Sequence, residues 1–229
     1  MPRNLVLPQQ QSTVFDMFGV DAPEGFAPKV DKMSPAMSFS FDQDEILLWV
    51  MALFNDGDRF DIDATYGKGN FYSGKVPKPA RIFDAEPQPG TGAEQGFSYA
   101  LPLEDASVGS IVYDPPFLPY TSEGSVIKEH FRQYSSYGAL REDWSRSMDE
   151  FWRVLRPGGF VLFKYQNSVS SGSNVWLEDW LRPYCYLGGW KRKDAFFLMS
   201  TSTINHYPGG MQYHARKGVS FFDVWEKPK

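Results

Sequence analysis

Three apolar runs that each end in an aspartate constrain the fold of this chain most. They are RFDIDATYGKG, ARIFDAEP and GSIVYDPPF, in which Asp63, Asp84 and Asp114 follow the apolar residues. Helical stretches flank them: DQDEILLWVMALFND comes before the first run, and EDWSRSMDEFWRVLRPGG follows the third. Strands that alternate with helices predict an α/β domain with a mostly parallel sheet and helices on both faces.

The C-terminal half adds further β segments. FVLFKYQ follows the helix stop at Pro157-Gly158-Gly159 directly, and NVWLEDWLRPY (174–184) has a helical pattern. Two late strands, DAFFLMST and GVSFFDVWEK, flank a long polar and aromatic loop and predict an antiparallel hairpin. Residues 1–41, rich in Pro, Gln and Ser, are predicted to form an irregular arm before a single domain over 42–229.

Composition limits the classes of function. With 42% hydrophobic residues in 229, the chain has enough apolar side chains for one sizeable domain. A net charge of −5 argues against general polyanion binding, so any nucleic-acid contact must be local. The single cysteine, Cys185, excludes an internal disulfide, and the three scattered histidines predict no metal site. Neither a membrane span nor a signal peptide is recognisable, so a cytoplasmic protein is expected.

The first run carries the features of a ligand-binding turn. In a doubly wound sheet, ligands bind beyond the carboxyl ends of the strands. Asp63 closes the strand there, and Gly67 and Gly69 let the backbone bend close to a ligand. The third glycine of a dinucleotide fingerprint is missing, which disfavours NAD. Asp84, 21 residues after Asp63, is placed to bind ribose hydroxyls, so an adenosine ligand without a pyrophosphate fits both observations.

Four segments, in this order and spacing, resemble class I S-adenosylmethionine-dependent methyltransferases, and within them the amino-methyltransferases of DNA. DATYGKG resembles the D-x-x-x-G-x-G cofactor loop, and FDAEP resembles the ribose-binding strand end. ALPLEDASVGSIVYDPPF resembles the L-P-x-x-D-x-S run before the catalytic tetrapeptide, and FWRVLRPGGFVLFK resembles the helix, turn and strand after it. The resemblance covers about residues 42–229. It implies a Rossmann-like, doubly wound sheet of seven strands and S-adenosyl-L-methionine as cofactor.

The resemblance also implies roles for individual residues. The implied catalytic motif is Asp114, Pro115, Pro116 and Phe117. Asp114 and the Pro115 carbonyl accept hydrogen bonds from an exocyclic base amine, the prolines hold that carbonyl in place, and Phe117 stacks on the flipped base. The implied cofactor-binding residues are Asp63, Ala64, Thr65, Tyr66, Gly67, Gly69, Asp84, Ala85, Ser98 and Asp114.

Ser98 is included because the sequence departs from the family at this point. Many relatives carry an acid shortly before the L-P of the third segment, where it holds the cofactor's adenine amine. This chain has Phe97-Ser98-Tyr99 there. Backbone groups near Ser98 and stacking are expected to hold adenine instead, with Glu94 or Gln95 as alternatives.

Substrate contacts are expected from Phe117 and from late segments of the chain. Lys164, just beyond the fifth strand, is placed near the cleft. The loop over 200–218 interleaves aromatic and charged residues, as contacts to a single strand or a flipped base do. Its candidates are His206, Tyr207, Tyr213, His214, Arg216 and Lys217. Residues 118–138 follow the catalytic motif and are predicted to form a lid that orders on substrate.

Several alternatives for the substrate stay open. D-P-P with an aromatic residue is commoner among adenine 6-amino than among cytosine 4-amino methyltransferases of DNA, which favours adenine. DNA is the expected partner, and an RNA base-amine methyltransferase or a non-catalytic binding subunit are the alternatives. Intact Asp114, Asp63 and Gly67 argue against the binding subunit. No separate target-recognition domain is recognisable, so a homodimer and a separate specificity partner are both compatible with the sequence.

Overall fold

A computed structural model describes residues 35–72, 74–119, 134–200, 213–215 and 217–229. Within them, eight strands form one central sheet, in the order β1-β9-β10-β6-β5-β2-β3-β4. Their bounds are β1 Phe39–Ser40, β2 Ile62–Asp63, β3 Arg81–Asp84, β4 Glu94–Gln95, β5 Val108–Tyr113, β6 Leu155–Gln166, β9 Lys191–Met199 and β10 Val219–Glu226. A separate two-stranded hairpin consists of β7 (Ser168–Ser170) and β8 (Ser173–Val175).

The predicted fold class is confirmed. Strands β2, β3, β4, β5 and β6 pair in parallel, whereas β10 runs antiparallel to both β6 and β9. The prediction of seven strands was one short, because Phe39–Ser40 adds a parallel edge strand beside β9. These residues come from the segment assigned to the arm. The division into an arm over 1–41 and a domain over 42–229 stays a prediction.

The order of the strands creates a switch point. From β2 the chain proceeds to β3 on one side, while β5 lies on the other side of β2 and leads to β6. Asp63 lies opposite Val112 in the β2–β5 register, so the ends of these two strands are neighbours. Ligands bind at such crevices in open α/β sheets.

The first helix, α1 (Gln43–Phe54), covers one face of the sheet. Its N-cap is Asp42, whose carboxylate accepts a hydrogen bond from the Asp44 amide, as the acidic start of the segment predicts. Trp49 packs against Phe196 of β9, with ring centroids 6.5 Å apart. The predicted helix over 42–56 is therefore confirmed to within two residues at either end.

The second helix, α2 (Tyr137–Val154), covers the opposite face. It begins five residues before the predicted start at Glu142, because the Ser136 hydroxyl accepts a hydrogen bond from the Ala139 amide and caps the helix there. Trp144 lies edge-on against Phe163, with ring centroids 4.9 Å apart. Helices on both faces are thus confirmed.

The predicted stop of α2 at Pro157-Gly158-Gly159 was wrong. The helix ends at Val154, and the residues after it already belong to β6. The reason is the C-terminal segment: the Gly158 amide donates to the Lys227 carbonyl, and the Lys227 amide donates to the Gly159 carbonyl. The Lys227 ammonium also donates to the carbonyl oxygens of Trp152 and Leu155, at 2.6 and 2.8 Å, and so caps the end of the helix.

The third helix, α3 (Glu178–Leu187), begins later than its predicted start at Asn174. Residues 173–175 pair with β7 instead. Asn167 fixes the helix start, because its side chain accepts from the Leu177 amide and donates to the Glu178 carboxylate, both at 2.9 Å. Cys185 on this helix is fully buried, as its aromatic surroundings predict.

A buried ion pair fastens α3 to the sheet. Asp223 of β10 is fully buried, and its carboxylate lies 3.2 Å from the Arg182 guanidinium of α3. The Tyr165 hydroxyl donates to the same carboxylate oxygen at 3.1 Å. Burial raises the pKa of Asp223, and the charge of Arg182 opposes that rise.

Candidate functional site

The ends of β2 and β3 carry two of the predicted acids. The Asp63 carboxylate is buried, and it accepts from the Thr65 amide and from the Tyr72 hydroxyl, both at 2.8 Å. Asp84 accepts from the Gly67 amide at 2.7 Å and from the Glu86 amide at 2.8 Å. The loop after β2 is thus tied to both strand ends through its own backbone.

Glycine is required within this loop. Gly67 and Gly69 have positive φ angles of 54° and 78°. A Cβ atom at Gly69 would lie 2.6 Å from the Tyr66 hydroxyl oxygen, so a side chain there would displace that ring. Tyr66 in turn stacks on Tyr72, with ring centroids 6.1 Å apart. The G-x-G pattern therefore shapes a tight turn lined by tyrosines.

The ionisation of Asp63 is shifted strongly. Burial raises its pKa to about 7, and the nearby carboxylates of Asp114 and Asp84 add to the rise. The hydrogen bonds from Thr65 and Tyr72 act in the opposite direction. Near neutral pH this carboxylate lies in a region that favours an added proton or a positively charged ligand.

Asp63→Asn is expected to stabilise the free protein at high pH. The folded-state pKa lies above that of a solvated aspartate, so the stability associated with Asp63 is complete below pH about 4 and is lost as pH rises through 7. The variant has no such loss, because its amide does not ionise. Its melting temperature should exceed that of the wild type by at least about 4 °C at pH 8.

Thermal unfolding of both proteins at pH 5, 6, 7 and 8 measures this difference. The gap should shrink towards pH 5, where Asp63 is protonated in the folded wild type. A gap of constant size across this range would contradict the shifted pKa of Asp63. Asp58→Asn, at an exposed surface acid, is the matched control and should leave the melting temperature close to that of the wild type.

Asp114 is hydrogen-bonded to the loop after β2. It follows β5, and its amide donates to the Thr65 side-chain oxygen at 2.9 Å. Its carboxylate Oδ2 lies 3.2 Å from the Lys164 ammonium of β6. Pro115 is buried, while Pro116 and Phe117 are half-buried. Burial raises the pKa of Asp114, and the charge of Lys164 opposes that rise.

Lys164 is held between aromatic rings. Its ammonium lies 5.0 Å from the centroid of Phe71 and 5.6 Å from that of Phe222. Only 17% of its side chain is exposed. A lysine with a carboxylate partner and two cation–π contacts is strongly localised. Lys164 lies within β6 and not beyond it, with Asp114 as its partner, and its substrate contact stays a prediction.

The remaining predicted cofactor residues lie in two places. Ala64 is buried and its amide donates to the Val112 carbonyl at 3.0 Å, and Ala85 is half-buried beside Asp84. Ser98 is buried and its hydroxyl lies 2.8 Å from that of Ser147 on α2. Ser98 thus has an internal partner, and its cofactor contact stays a prediction. Glu94, the suggested alternative, pairs with Arg81 at 2.7 Å.

The predicted substrate residues of the late loop are only partly described. His206, Tyr207 and Arg216 lie outside the described residues, as does most of the predicted lid over 118–138. Tyr213 is 79% exposed. Lys217 lies with its ammonium 4.3 Å from the Trp176 ring centroid.

Sequence reasoning missed Tyr72 and Trp176. The Tyr72 hydroxyl reaches Asp63 because of the course of the loop after β2, and no sequence motif encodes that course. The position of Tyr72 in GNFY, just after the glycines, does indicate that an aromatic side chain lines the loop. Trp176 was assigned to a helix, whereas it follows the β7–β8 hairpin.

Neither a metal cluster nor a membrane span is found in the described part of the chain. No three or more His, Cys, Asp or Glu side chains there are arranged to hold a metal ion. No helix among the described residues has the length and apolar character needed to cross a membrane.

Comparison with solved structures shows the fold of S-adenosylmethionine-dependent methyltransferases. One such enzyme from Leishmania major matches with a TM-score of 0.53 at 12% identity, over 81% of this chain and 72% of that one. A chain from the complex of the Haloferax volcanii Trm112 methyltransferase activator with a candidate methyltransferase matches with a TM-score of 0.50 at 14% identity, over 80% and 88%. These identities show a shared fold and leave the substrate open.

Other comparisons are more limited. A candidate DNA modification methylase from Thermus thermophilus, complexed with S-adenosyl-L-methionine, matches with a TM-score of 0.40 at 21% identity, over 56% of this chain. The chain spans about half of that protein, 51% of its length. No protein-family model and no curated protein matches the sequence.

Proposed function

We propose that this chain, which has the class I methyltransferase fold, transfers a methyl group from S-adenosyl-L-methionine to an exocyclic base amine of DNA, the 6-amino group of adenine. The observation that carries the proposal is the junction of the two strand ends. The Thr65 hydroxyl, on the loop after β2, accepts a hydrogen bond from the amide of Asp114, which begins the D-P-P-F motif after β5. The glycine-containing loop after β2 and the D-P-P-F motif after β5 therefore meet at the switch point of the sheet.

The residues present fit a cationic adenosine ligand. Asp84 ends β3 at the position from which a carboxylate accepts hydrogen bonds from ribose hydroxyls, and Gly67 and Gly69 leave room for close approach of the backbone. Burial raises the pKa of Asp63, so a positive charge nearby would stabilise its ionised form. S-adenosyl-L-methionine, when bound, supplies a reactive methyl group on a positively charged sulfur.

The D-P-P-F motif would orient the base amine for methyl transfer. A base amine is a weak nucleophile because its lone pair is delocalised into the ring. Asp114 and the Pro115 carbonyl would act as paired hydrogen-bond acceptors, which favour a tetrahedral nitrogen with its lone pair free. Among the described residues, none donates to Asp114 Oδ1, whereas Oδ2 is engaged by Lys164. The amine would therefore bind at Oδ1, and Phe117 would stack on the base.

Asp114 need not act as a strong base. The amine becomes acidic once it carries the methyl group, so its proton can leave to water after transfer. The carboxylate is needed in its ionised form, because a protonated carboxyl has fewer acceptor sites. Lys164 serves that purpose, since its charge opposes the rise that burial causes in the pKa of Asp114.

The proposal is tested by incubating the protein with methyl-labelled S-adenosyl-L-methionine and separate DNA and RNA pools. Nucleoside mass spectrometry of the labelled polymer then identifies the modified base. Label in DNA as 6-methyladenine is the expected result. Label in RNA alone would replace the DNA assignment, and label in neither, with tight cofactor binding, would favour a non-catalytic binding subunit.

Lys164→Met should shift the pH dependence of methyl transfer to higher pH. Without the ammonium, nothing described offsets the effect of burial on Asp114, so more of the carboxyl is protonated at neutral pH. Turnover at pH 7 should fall by about tenfold or more, the typical cost of losing a charged hydrogen bond. Steady-state kinetics from pH 5.5 to 9 measure the profile.

Lys164→Arg is the matched control because it keeps the positive charge, and its profile should stay near that of the wild type. A Lys164→Met profile that is lower at every pH without any shift would show that Lys164 acts through packing alone.

A further inference from the structure

The β7–β8 hairpin leads to an exposed aromatic residue, Trp176, near the edge of the sheet that carries Asp114. The hairpin begins two residues beyond Gln166, the last residue of β6, and Trp176 follows the hairpin directly. In the β6–β10 register, Lys164 lies opposite Phe222 and Gln166 lies opposite Ser220. The Gln166 side-chain amide donates to the Lys217 carbonyl. Lys217 and Trp176 thus lie beyond the carboxyl end of β6, on the edge that carries Asp114.

Trp176 and Lys217 form a pair whose surroundings leave the indole accessible. Trp176 is 43% exposed, so a large part of its side chain is open to solvent. The Lys217 ammonium lies over its ring at 4.3 Å. We refer to Trp176 and Lys217 together as the Trp–Lys platform.

The chain segment that carries Lys217 is fastened to the hairpin. The His214 Nε2 atom lies 2.6 Å from the Gly172 carbonyl oxygen, and its Nδ1 atom lies 3.4 Å from the Asn174 side-chain nitrogen. A carbonyl can only accept, so Nε2 carries the proton and Nδ1 accepts from Asn174. His214, three residues before Lys217, therefore links this part of the chain to the hairpin that precedes Trp176.

The chemistry of the platform matches an unpaired nucleotide. Single-stranded nucleic acids bind to aromatic faces on which bases stack, next to basic side chains that reach the phosphates. A ring with an ammonium above it offers both groups at one point. Because the chain as a whole carries a charge of −5, contacts to a polyanion must be made by local groups of this kind.

We propose that the Trp–Lys platform binds an unpaired nucleotide of DNA next to the target base, with the base stacked on the face of the Trp176 ring away from Lys217 and the phosphate contacted by Lys217. The inference rests on the proposed function, since it names the neighbour of the base that Asp114 receives. It predicts a preference for single-stranded or locally opened DNA.

The binding test uses a fluorescein-labelled single-stranded DNA oligonucleotide and fluorescence anisotropy. Trp176→Ala should weaken binding by about 5- to 100-fold, the range for loss of one stacked base. Trp176→Phe keeps a ring and should retain most of the affinity. Lys217→Gln should weaken binding less and reduce the dependence of log Kd on log salt by about one ion.

Tyr186→Ala is the matched control. Tyr186 is a similarly exposed aromatic residue, 52% exposed, near the end of α3. It contacts Trp225, which pairs with Val161 in the middle of β6 and not at the carboxyl end where Gln166 lies. This variant should bind DNA like the wild type. The melting temperature of every variant, and its affinity for S-adenosyl-L-methionine, should be unchanged.

Activity assays separate the platform from the proposed function. Trp176→Ala should raise KM for the oligonucleotide and leave turnover of free deoxyadenosine unaltered. Methylation of DNA with equal KM in the wild type and Trp176→Ala would overturn the platform alone. DNA binding that depends on Trp176 without any methyl transfer would support the platform and refute the methyltransferase proposal. Trp176-dependent binding to RNA and not to DNA would overturn the assigned occupant.

Discussion

Asp114→Ala should reduce the turnover of DNA methylation by about a thousandfold, the cost of removing a positioned hydrogen-bonding group from a transition state. The variant loses the acceptor for the base amine, while the Pro115 carbonyl alone cannot hold two N–H groups. Affinity for S-adenosyl-L-methionine should stay within about threefold, because Thr65 accepts from the Asp114 backbone amide and not from its side chain.

Turnover is measured in single-turnover assays with labelled cofactor, and cofactor affinity is measured by calorimetry. Asp105→Ala serves as the control, since Asp105 is an exposed acid whose partner Arg153 lies on α2. It should leave both quantities unchanged. Near-normal turnover of Asp114→Ala would remove Asp114 from the mechanism, and with it the main support for an amine as the methyl acceptor.

Arg182→Met should destabilise the fold by about 3–5 kcal/mol, the typical cost of leaving a buried charge without its partner. The Asp223 carboxylate is fully buried, so no water replaces the guanidinium. Its second oxygen, Oδ1, already has no hydrogen-bond partner among the described residues. Denaturant unfolding at pH 7 measures the loss, and the melting temperature should fall by roughly 6–20 °C.

Two comparisons test the cause. The double variant Arg182→Met/Asp223→Asn should recover much of the stability, because the neutral amide still accepts from Tyr165. Arg81→Met breaks an exposed pair with Glu94 and should cost less than about 1 kcal/mol. Burial raises the pKa of Asp223, so the deficit of Arg182→Met should shrink as pH falls and Asp223 takes up a proton. A deficit that is independent of pH would point to lost packing.

The parts of the fold that are encoded locally were predictable from sequence. The acids at the ends of β2, β3 and β5 mark where strands leave the core, and Asp42 marks the start of α1. Asp42, Asp63 and Asp84 each accept a hydrogen bond from an amide two residues later, so these signals are contacts between residues close in sequence. The position of Asp63, Asp84 and Asp114 at one edge follows from the parallel arrangement of their strands.

Contacts between distant segments were not predictable in this way. The end of α2 depends on Lys227, which lies more than 70 residues later in the chain. The β7–β8 hairpin has the sequence SVSSGSNV, in which no apolar alternation indicates strands. Tyr72 reaches Asp63 only because Gly67 and Gly69 fold the loop back. Such features depend on contacts within the folded sheet, and they produce no periodic pattern in the sequence.

The double attachment of Asp114 has a consequence for the entropy of catalysis. Its backbone is fastened to Thr65 and its carboxylate to Lys164, which is itself confined between Phe71 and Phe222. A group held at both ends has few rotamers to lose when it meets a substrate. The ordering cost of the acceptor is therefore incurred once, when the chain folds, and does not recur with each base that enters the site.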